Sequence, residues 1–141
     1  MKKQHQIDNN FIGGAPLLTM GVDTTADKDF VQADLDDNLT ACVVSGSSEV
    51  GMGNSGDRLF GKVVWVSKEE FQPGTTIPAL CDVQVRGVVR FKYNPNYLPG
   101  LGEGVCVDGA GKVVTMYRSS DPTGQVIALY EDSEECDVWL G

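Results

Sequence analysis

Apolar and polar residues alternate along this chain far more often than they recur at helical spacing. Residues 81–93 (CDVQVRGVVRFKY) are the clearest case. Cys81, Val83, Val85, Val89, Phe91 and Tyr93 fall on one side of an extended segment, and Asp82, Gln84, Arg86, Arg90 and Lys92 mostly on the other. A period of two is that of a half-buried β-strand. Shorter runs of the same kind stand at residues 39–44 (LTACVV), 59–67 (LFGKVVWVS), 105–107, 112–117, 125–130 and 136–140. Trp65 sits among Val63, Val64 and Val66, which predicts a core position. Trp139 lies opposite in pleat to Val138 and Leu140, and a core position is favoured for it over a contact surface.

Turn chemistry separates these runs. Residues 45–57 (SGSSEVGMGNSGD) read as a flexible Gly/Ser loop, 68–80 (KEEFQPGTTIPAL) as a connector broken by proline, and 94–104 (NPNYLPGLGEG) as a further turn-rich segment. Residues 108–111 (DGAG) form a four-residue hairpin loop whose glycines supply positive φ. Residues 119–124 (SSDPTG) and 131–135 (EDSEE) turn the chain twice more. No helix stands out. Short strands joined by such turns predict an all-β fold, a compact single-domain β-barrel or sandwich of short antiparallel strands.

Residues 1–38 differ. They join a polar start to an apolar patch (Phe11, Ile12, Pro16, Leu17, Leu18) and a Thr/Asp-rich stretch, without alternation. They read as an extended N-terminal arm, with one short helical turn near 29–35, preceding a β-barrel domain over 39–141. An arm with sparse apolar anchors orders against a partner. The alternative is that 11–18 packs onto its own core. At 141 residues the chain suits one domain with a full core.

Charge narrows the choice of partner. Twenty acidic residues against eleven basic leave a net −9, which the phosphate backbone repels, so nucleic acid is not an expected partner. The only basic concentrations are Lys2–Lys3 and the solvent face carrying Arg86, Arg90 and Lys92. No run approaches the roughly 18 apolar residues of a membrane span, and residues 1–10 (MKKQHQIDNN) lack the apolar segment of a secretory leader. A soluble protein made in the cytoplasm is expected. Four cysteines without a C-x-x-C pair, and a single histidine in the polar start, argue for buried thiols rather than a metal site.

Chemical motifs are few. Residues 51–56 (GMGNSG) match G-x-G-x-x-G, but the run that follows is a strand pattern, not the helix a pyrophosphate needs. Gly111-Lys112 lacks the upstream glycine and the following hydroxyl of a P-loop. Asp34, Asp36 and Asn38 are spaced like the start of a calcium loop without its glycine or closing Glu. Glu131, Asp132, Glu134 and Glu135 fit a solvated edge better than an ion site. No catalytic, cofactor or metal residues are assigned, and an enzyme is not expected.

The order of these strands resembles the tailed-phage capsid decoration proteins, also called structural cement proteins. The likeness runs through residues 56–66 (GDRLFGKVVWV), 83–89 (VQVRGVV), 104–113 (GVCVDGAGKV), 124–129 (GQVIAL) and 137–141 (DVWLG). The resemblance implies a non-enzymatic virion protein that binds the outer surface of the head lattice and holds capsomers together. The major capsid protein would be its partner, and a homo-oligomer, a trimer by preference, its assembly state. A head-fibre or tail-associated adhesion module is the second reading. Partner contacts are expected at Phe11, Ile12, Leu17, Leu18, Tyr97, Leu98 and Trp139.

Overall fold

The computed structural model describes residues 17–23, 30, 32–67, 70–72, 75–76, 80–118 and 121–141. Phe11 and Ile12 lie outside the described residues. In chain order the elements are β1 (Leu17–Val22), α1 (Gln32–Asp36), β2 (Ala41–Gly46), β3 (Glu49–Gly51), β4 (Gly61–Ser67), β5 (Glu70–Gln72), β6 (Thr75–Thr76) and β7 (Leu80–Gln84). There follow β8 (Val88–Lys92), β9 (Val105–Val107), β10 (Val113–Thr115), β11 (Gln125–Tyr130) and β12 (Glu135–Trp139). Single 3-10 turns stand at Pro95–Tyr97 and Met116–Arg118. The protein is all-β, as its alternation predicts.

Five strands close a barrel in the order β1-β3-β2-β4-β7, with β7 returning to β1. All its pairings are antiparallel except β1 with β3. Closure leaves the barrel without an exposed strand edge. Val22, Phe30, Cys42, Val50, Met52, Val63, Cys81 and Val83 fill its interior, with Met20, Leu35, Phe60 and Val66 packed around them. Residues 17–22 are therefore not part of an arm: Leu17 to Gly21 pair with Gln84 to Leu80 as a full barrel stave. The short helical turn expected near 29–35 is α1. Residues 45–57 are more ordered than a flexible loop, since they contain β3, and Gly56 N donates to the Val107 carbonyl at 2.9 Å.

A second layer packs on the barrel. It consists of a three-stranded sheet, β11-β12-β8, and the β9-β10 hairpin. Val89, Phe91, Tyr93, Val105, Val107, Val113, Val126, Cys136 and Val138 form its core together with Ala41, Val43 and Leu59. Strand β2 is thus shared. Cys42 points into the barrel, while its neighbours Ala41 and Val43 point into the second core. The hairpin loop of residues 108–111 closes as expected: Asp108 Oδ1 accepts from Ala110 N at 2.7 Å and Lys112 N at 3.0 Å.

Two local devices overturn expectations drawn from periodicity. The long alternating run over 81–93 is two strands in two different sheets. Gly87, at φ 85°, breaks it, and its backbone exchanges hydrogen bonds with Leu140 and Gly141. On β4 a β-bulge between Val63 and Trp65 shifts the register against β7. Val63 points inward, Val64 and Trp65 both point outward, and Trp65 stands opposite Asp82 at 50% exposure. One extra residue in the ladder has turned Trp65 from the core to the surface. Trp139 is also 50% exposed, on the opposite face of β12 from Cys136 and Val138. Neither tryptophan is a core residue.

Arg90, expected in the solvent, is held in place instead. Its Nε donates to Asp137 Oδ1 at 2.8 Å and its Nη2 to Oδ2 at 3.2 Å. Its guanidinium lies 4.5 Å from the ring centre of Tyr130.

Candidate functional site

The 94–104 loop is built by its own side chains. Asn94 Oδ1 accepts from Asn96 N at 3.0 Å, and Pro95 takes the first position of the 3-10 turn, where no amide is needed. The turn ends at Leu98, which leaves Tyr97 and Leu98 exposed side by side. Gly102, at φ 80°, reverses the chain and exposes Leu101. The reversal is tied to β11: Gly102 N donates to the Val126 carbonyl and Val126 N to the Glu103 carbonyl, both at 2.8 Å.

The second 3-10 turn meets this loop. Arg118 stacks over the Tyr97 ring at 4.3 Å. The Tyr117 hydroxyl donates to Glu103 Oε1 at 3.3 Å, although the residue is 77% exposed. On the far side, Gln125 stands opposite Trp139 across the β11–β12 ladder, and its Nε2 donates to the Gly102 carbonyl at 3.3 Å. Tyr97 and Tyr117 therefore form an aromatic band held by Arg118 and Glu103, with Leu98 and Leu101 exposed on the same loop, and Gln125 ties that loop to the strand end that carries Trp139. Arg118 and Gln125 are exposed and Glu103 half-buried, so each contributes only about 0.5–1 kcal/mol. Their effect is to hold the Tyr97 and Tyr117 rings in place on the surface before anything binds, which reduces the ordering cost of contact.

Of the expected contact residues, Tyr97 and Leu98 are exposed on the 94–104 loop, and Trp139 is exposed on β12 opposite Gln125, whose side chain bonds that loop at Gly102. Leu17 and Leu18 are exposed but belong to β1 in the barrel wall, a different sheet. Leu101, Tyr117 and Arg118 were not legible beforehand. They lie in segments without alternation and reach the band only through the turn at Gly102 and the hairpin β9-β10.

The chemistry elsewhere is quiet. The four cysteines are buried free thiols. Burial pushes the Cys81 thiol up to about 11 and that of Cys136 to about 12, and it raises those of Cys42 and Cys106 as well. None is a thiolate at neutral pH, and the thiolate is the reactive form. Residues 51–56 lead into β4, not into a helix. Among the described residues no group of three or more His, Cys, Asp and Glu is placed to hold a metal ion. An open basin of about 630 Å³ is lined by Asp36, Asp37, Lys92, Lys112, Asp132 and Glu134, among others. At its wall Asn38 Nδ2 donates to Glu135 Oε2 at 3.1 Å, so the calcium-like spacing at 34–38 is used in part to tie α1 to β12. Among the described residues no helix is long and apolar enough to cross a membrane.

Comparison with protein-family models, with curated proteins and with solved structures gives no match.

Proposed function

We propose that the protein is a phage capsid decoration protein, a non-enzymatic cement that binds the outside of a head lattice and stabilises capsomer contacts. The observation that carries this reading is the exposed aromatic band in which Tyr97 is held by Arg118 and Tyr117 by Glu103, with Leu98 and Leu101 exposed beside them. Tyrosine, tryptophan and arginine are the side chains that dominate protein interfaces, and rings held in place lose little freedom on binding. The major capsid protein is the partner, and the outer surface of the virion is the location. A net charge of −9 suits that outer surface and opposes contact with packaged DNA.

Of the segments behind the family resemblance, 83–89 is divided at Gly87 between β7 and β8, while the later ones keep to single elements or hairpins. Residues 104–113 make the β9-β10 hairpin, 124–129 fall on β11 and 137–141 run along the end of β12. A shallow band without a deep pocket is enough on a repeating lattice, because many weak contacts by an oligomer, a trimer by preference, add up to high avidity.

A head-fibre or tail-associated adhesion module is the second reading, favoured by one observation. Tyr117 offers most of its ring to solvent while its hydroxyl is tethered to Glu103, as a sugar-stacking platform would. One experiment separates the two. Purified protein is sedimented with expanded, undecorated heads of its phage, beside the Tyr117→Ala variant, and both are applied to a glycan array. Saturable binding at a fixed ratio to the capsid protein, weakened in Tyr117→Ala, is the expected result. No head binding by a folded protein overturns the cement reading, and a Tyr117-dependent glycan signal replaces it with the adhesion module.

A further inference from the structure

An arginine lies over a tyrosine ring twice in this molecule. The Arg90 guanidinium is 4.5 Å from the ring centre of Tyr130, and that of Arg118 is 4.3 Å from the ring centre of Tyr97. A carboxylate completes the first pair. Asp137 accepts from Arg90 Nε at 2.8 Å, from Arg90 Nη2 at 3.2 Å and from the Tyr130 hydroxyl at 2.9 Å. The second pair has no such third member. Neither the Arg118 guanidinium nor the Tyr97 hydroxyl has a hydrogen-bond or ion-pair partner among the described residues. Carboxylates of the adjoining segments are engaged elsewhere: Glu103 Oε1 accepts from the Tyr117 hydroxyl at 3.3 Å, and Asp121 Oδ1 pairs with Arg58 at 2.8 Å. Contact with a ring uses the face of a guanidinium and leaves the N–H donors of its edge available. Arg118 is therefore charged, exposed and held, with its donor fork unused.

We infer that Arg118 and Tyr97 read a carboxylate on the partner, an Asp or Glu side chain that completes this pair as Asp137 completes the other. The inference rests on the cement reading, since it takes the aromatic band as the lattice contact and names what the capsid protein offers there. A carboxylate accepts two N–H groups of one arginine side by side, in shorter and stronger bonds than neutral groups make. The ring beneath holds the guanidinium before contact, so little freedom is lost on capture. Leu98 and Leu101, exposed on the loop that carries Tyr97, shed water as the surfaces meet and shield the pair. Charge makes the contact selective. A chain of net −9 repels a carboxylate over most of its surface. A held cation without a counter-ion marks where one is accepted, and so fixes the register of docking.

Sedimentation of the full-length protein with expanded, undecorated heads tests this. Native heads are compared with heads whose surface carboxylates have been amidated with carbodiimide and glycinamide. Arg118→Ala binds native heads about 100-fold more weakly than the wild type, as loss of a central anchor does. Amidation weakens the wild type by about as much, yet adds little to the loss in Arg118→Ala, because the two changes remove the same pair. Arg118→Lys keeps the charge without the fork and is weakened about 10-fold. Tyr117→Ala, already weakened on native heads, is weakened again by amidation. All three variants retain the wild-type circular dichroism, since both side chains are exposed. Wild-type binding unchanged by amidation, either Arg118 variant binding like the wild type, or a full second loss when Arg118→Ala meets amidated heads overturns the inference and leaves the cement reading standing. A folded wild type that binds no heads overturns both. An Arg118-dependent signal from acidic glycans on an array, without head binding, overturns the lattice carboxylate and gives the site to the adhesion module.

Discussion

Arg90 and Asp137 form a two-pronged ion pair across the β8–β12 ladder, and the Asp137 side chain has no exposure at all. The Tyr130 hydroxyl donates to the same carboxylate at 2.9 Å. The hydrogen bond from Arg90 raises the guanidinium's pKa further, against the opposing effect of its burial. Removing the guanidinium leaves a buried carboxylate without its cation, so Arg90→Ala is expected to cost about 3–5 kcal/mol. Urea titration measures it. The double variant Arg90→Met/Asp137→Leu should recover most of that loss, and a double variant as unstable as the single one would refute the account.

Tyr130→Phe removes one hydrogen bond from the same carboxylate and keeps the ring under Arg90. A loss of about 1 kcal/mol is expected. A loss above about 3 kcal/mol would mean that the hydroxyl, not the guanidinium, holds Asp137 in place.

The thiols set an alkaline limit to stability. Desolvation raises the folded-state values of Cys81 to about 11 and Cys136 to about 12, above an ordinary 9.0. The raised values mean that the unfolded chain loses these protons first. Their contribution is complete below pH 9 and is lost as the pH rises toward 11 and 12. Thermal melting should hold level from neutral pH to about 9 and then fall. In parallel, a thiol reagent should find all four cysteines unreactive in the native protein at pH 7.5 and reactive in urea. Rapid labelling of a native thiol would contradict their burial.

Gly61 lets β4 lie tightly against β7. A Cβ there would run into the Gln84 carbonyl and lie 2.9 Å from Val83 Cγ1. Gly61→Ala should destabilise by about 1–3 kcal/mol through overpacking, while Gly102→Ala, with nothing within 4 Å, should be affected only by its positive φ. Melting temperatures of the two variants give the comparison.

Most strands were legible because alternation is a direct record of one buried and one wet face. Cys81 and Val83, and then Val89 and Phe91, all point inward as their spacing requires. The break between them was not legible. Gly87 lies in phase with both runs, so the period of two passes through the change of sheet without a slip. At Trp65 the opposite happened, since a bulge adds one residue and reverses the face of everything beyond it. Strand β1 is foreshadowed only by the alternative that 11–18 packs onto its own core, because Leu17 and Leu18 are adjacent and both exposed, which erases alternation. Of the exposed aromatic surface, Tyr97 and Leu98 could be named from turn position, whereas the pleat of Trp139 favours the core that the structure denies it. Tyr117 and Arg118 join them only through tertiary contacts that no local pattern records.

Strand β2 belongs to two cores at once, with Cys42 on one side and Ala41 and Val43 on the other. A seam that runs through the middle of a strand cannot be opened without dismantling both halves. The molecule therefore has no hinge and no separable lobe at that seam. It should melt in one step, and the amides of residues 41–43 should exchange their hydrogens as slowly as any in the chain. A rigid body of this kind transmits a pull on its aromatic band straight into the barrel wall.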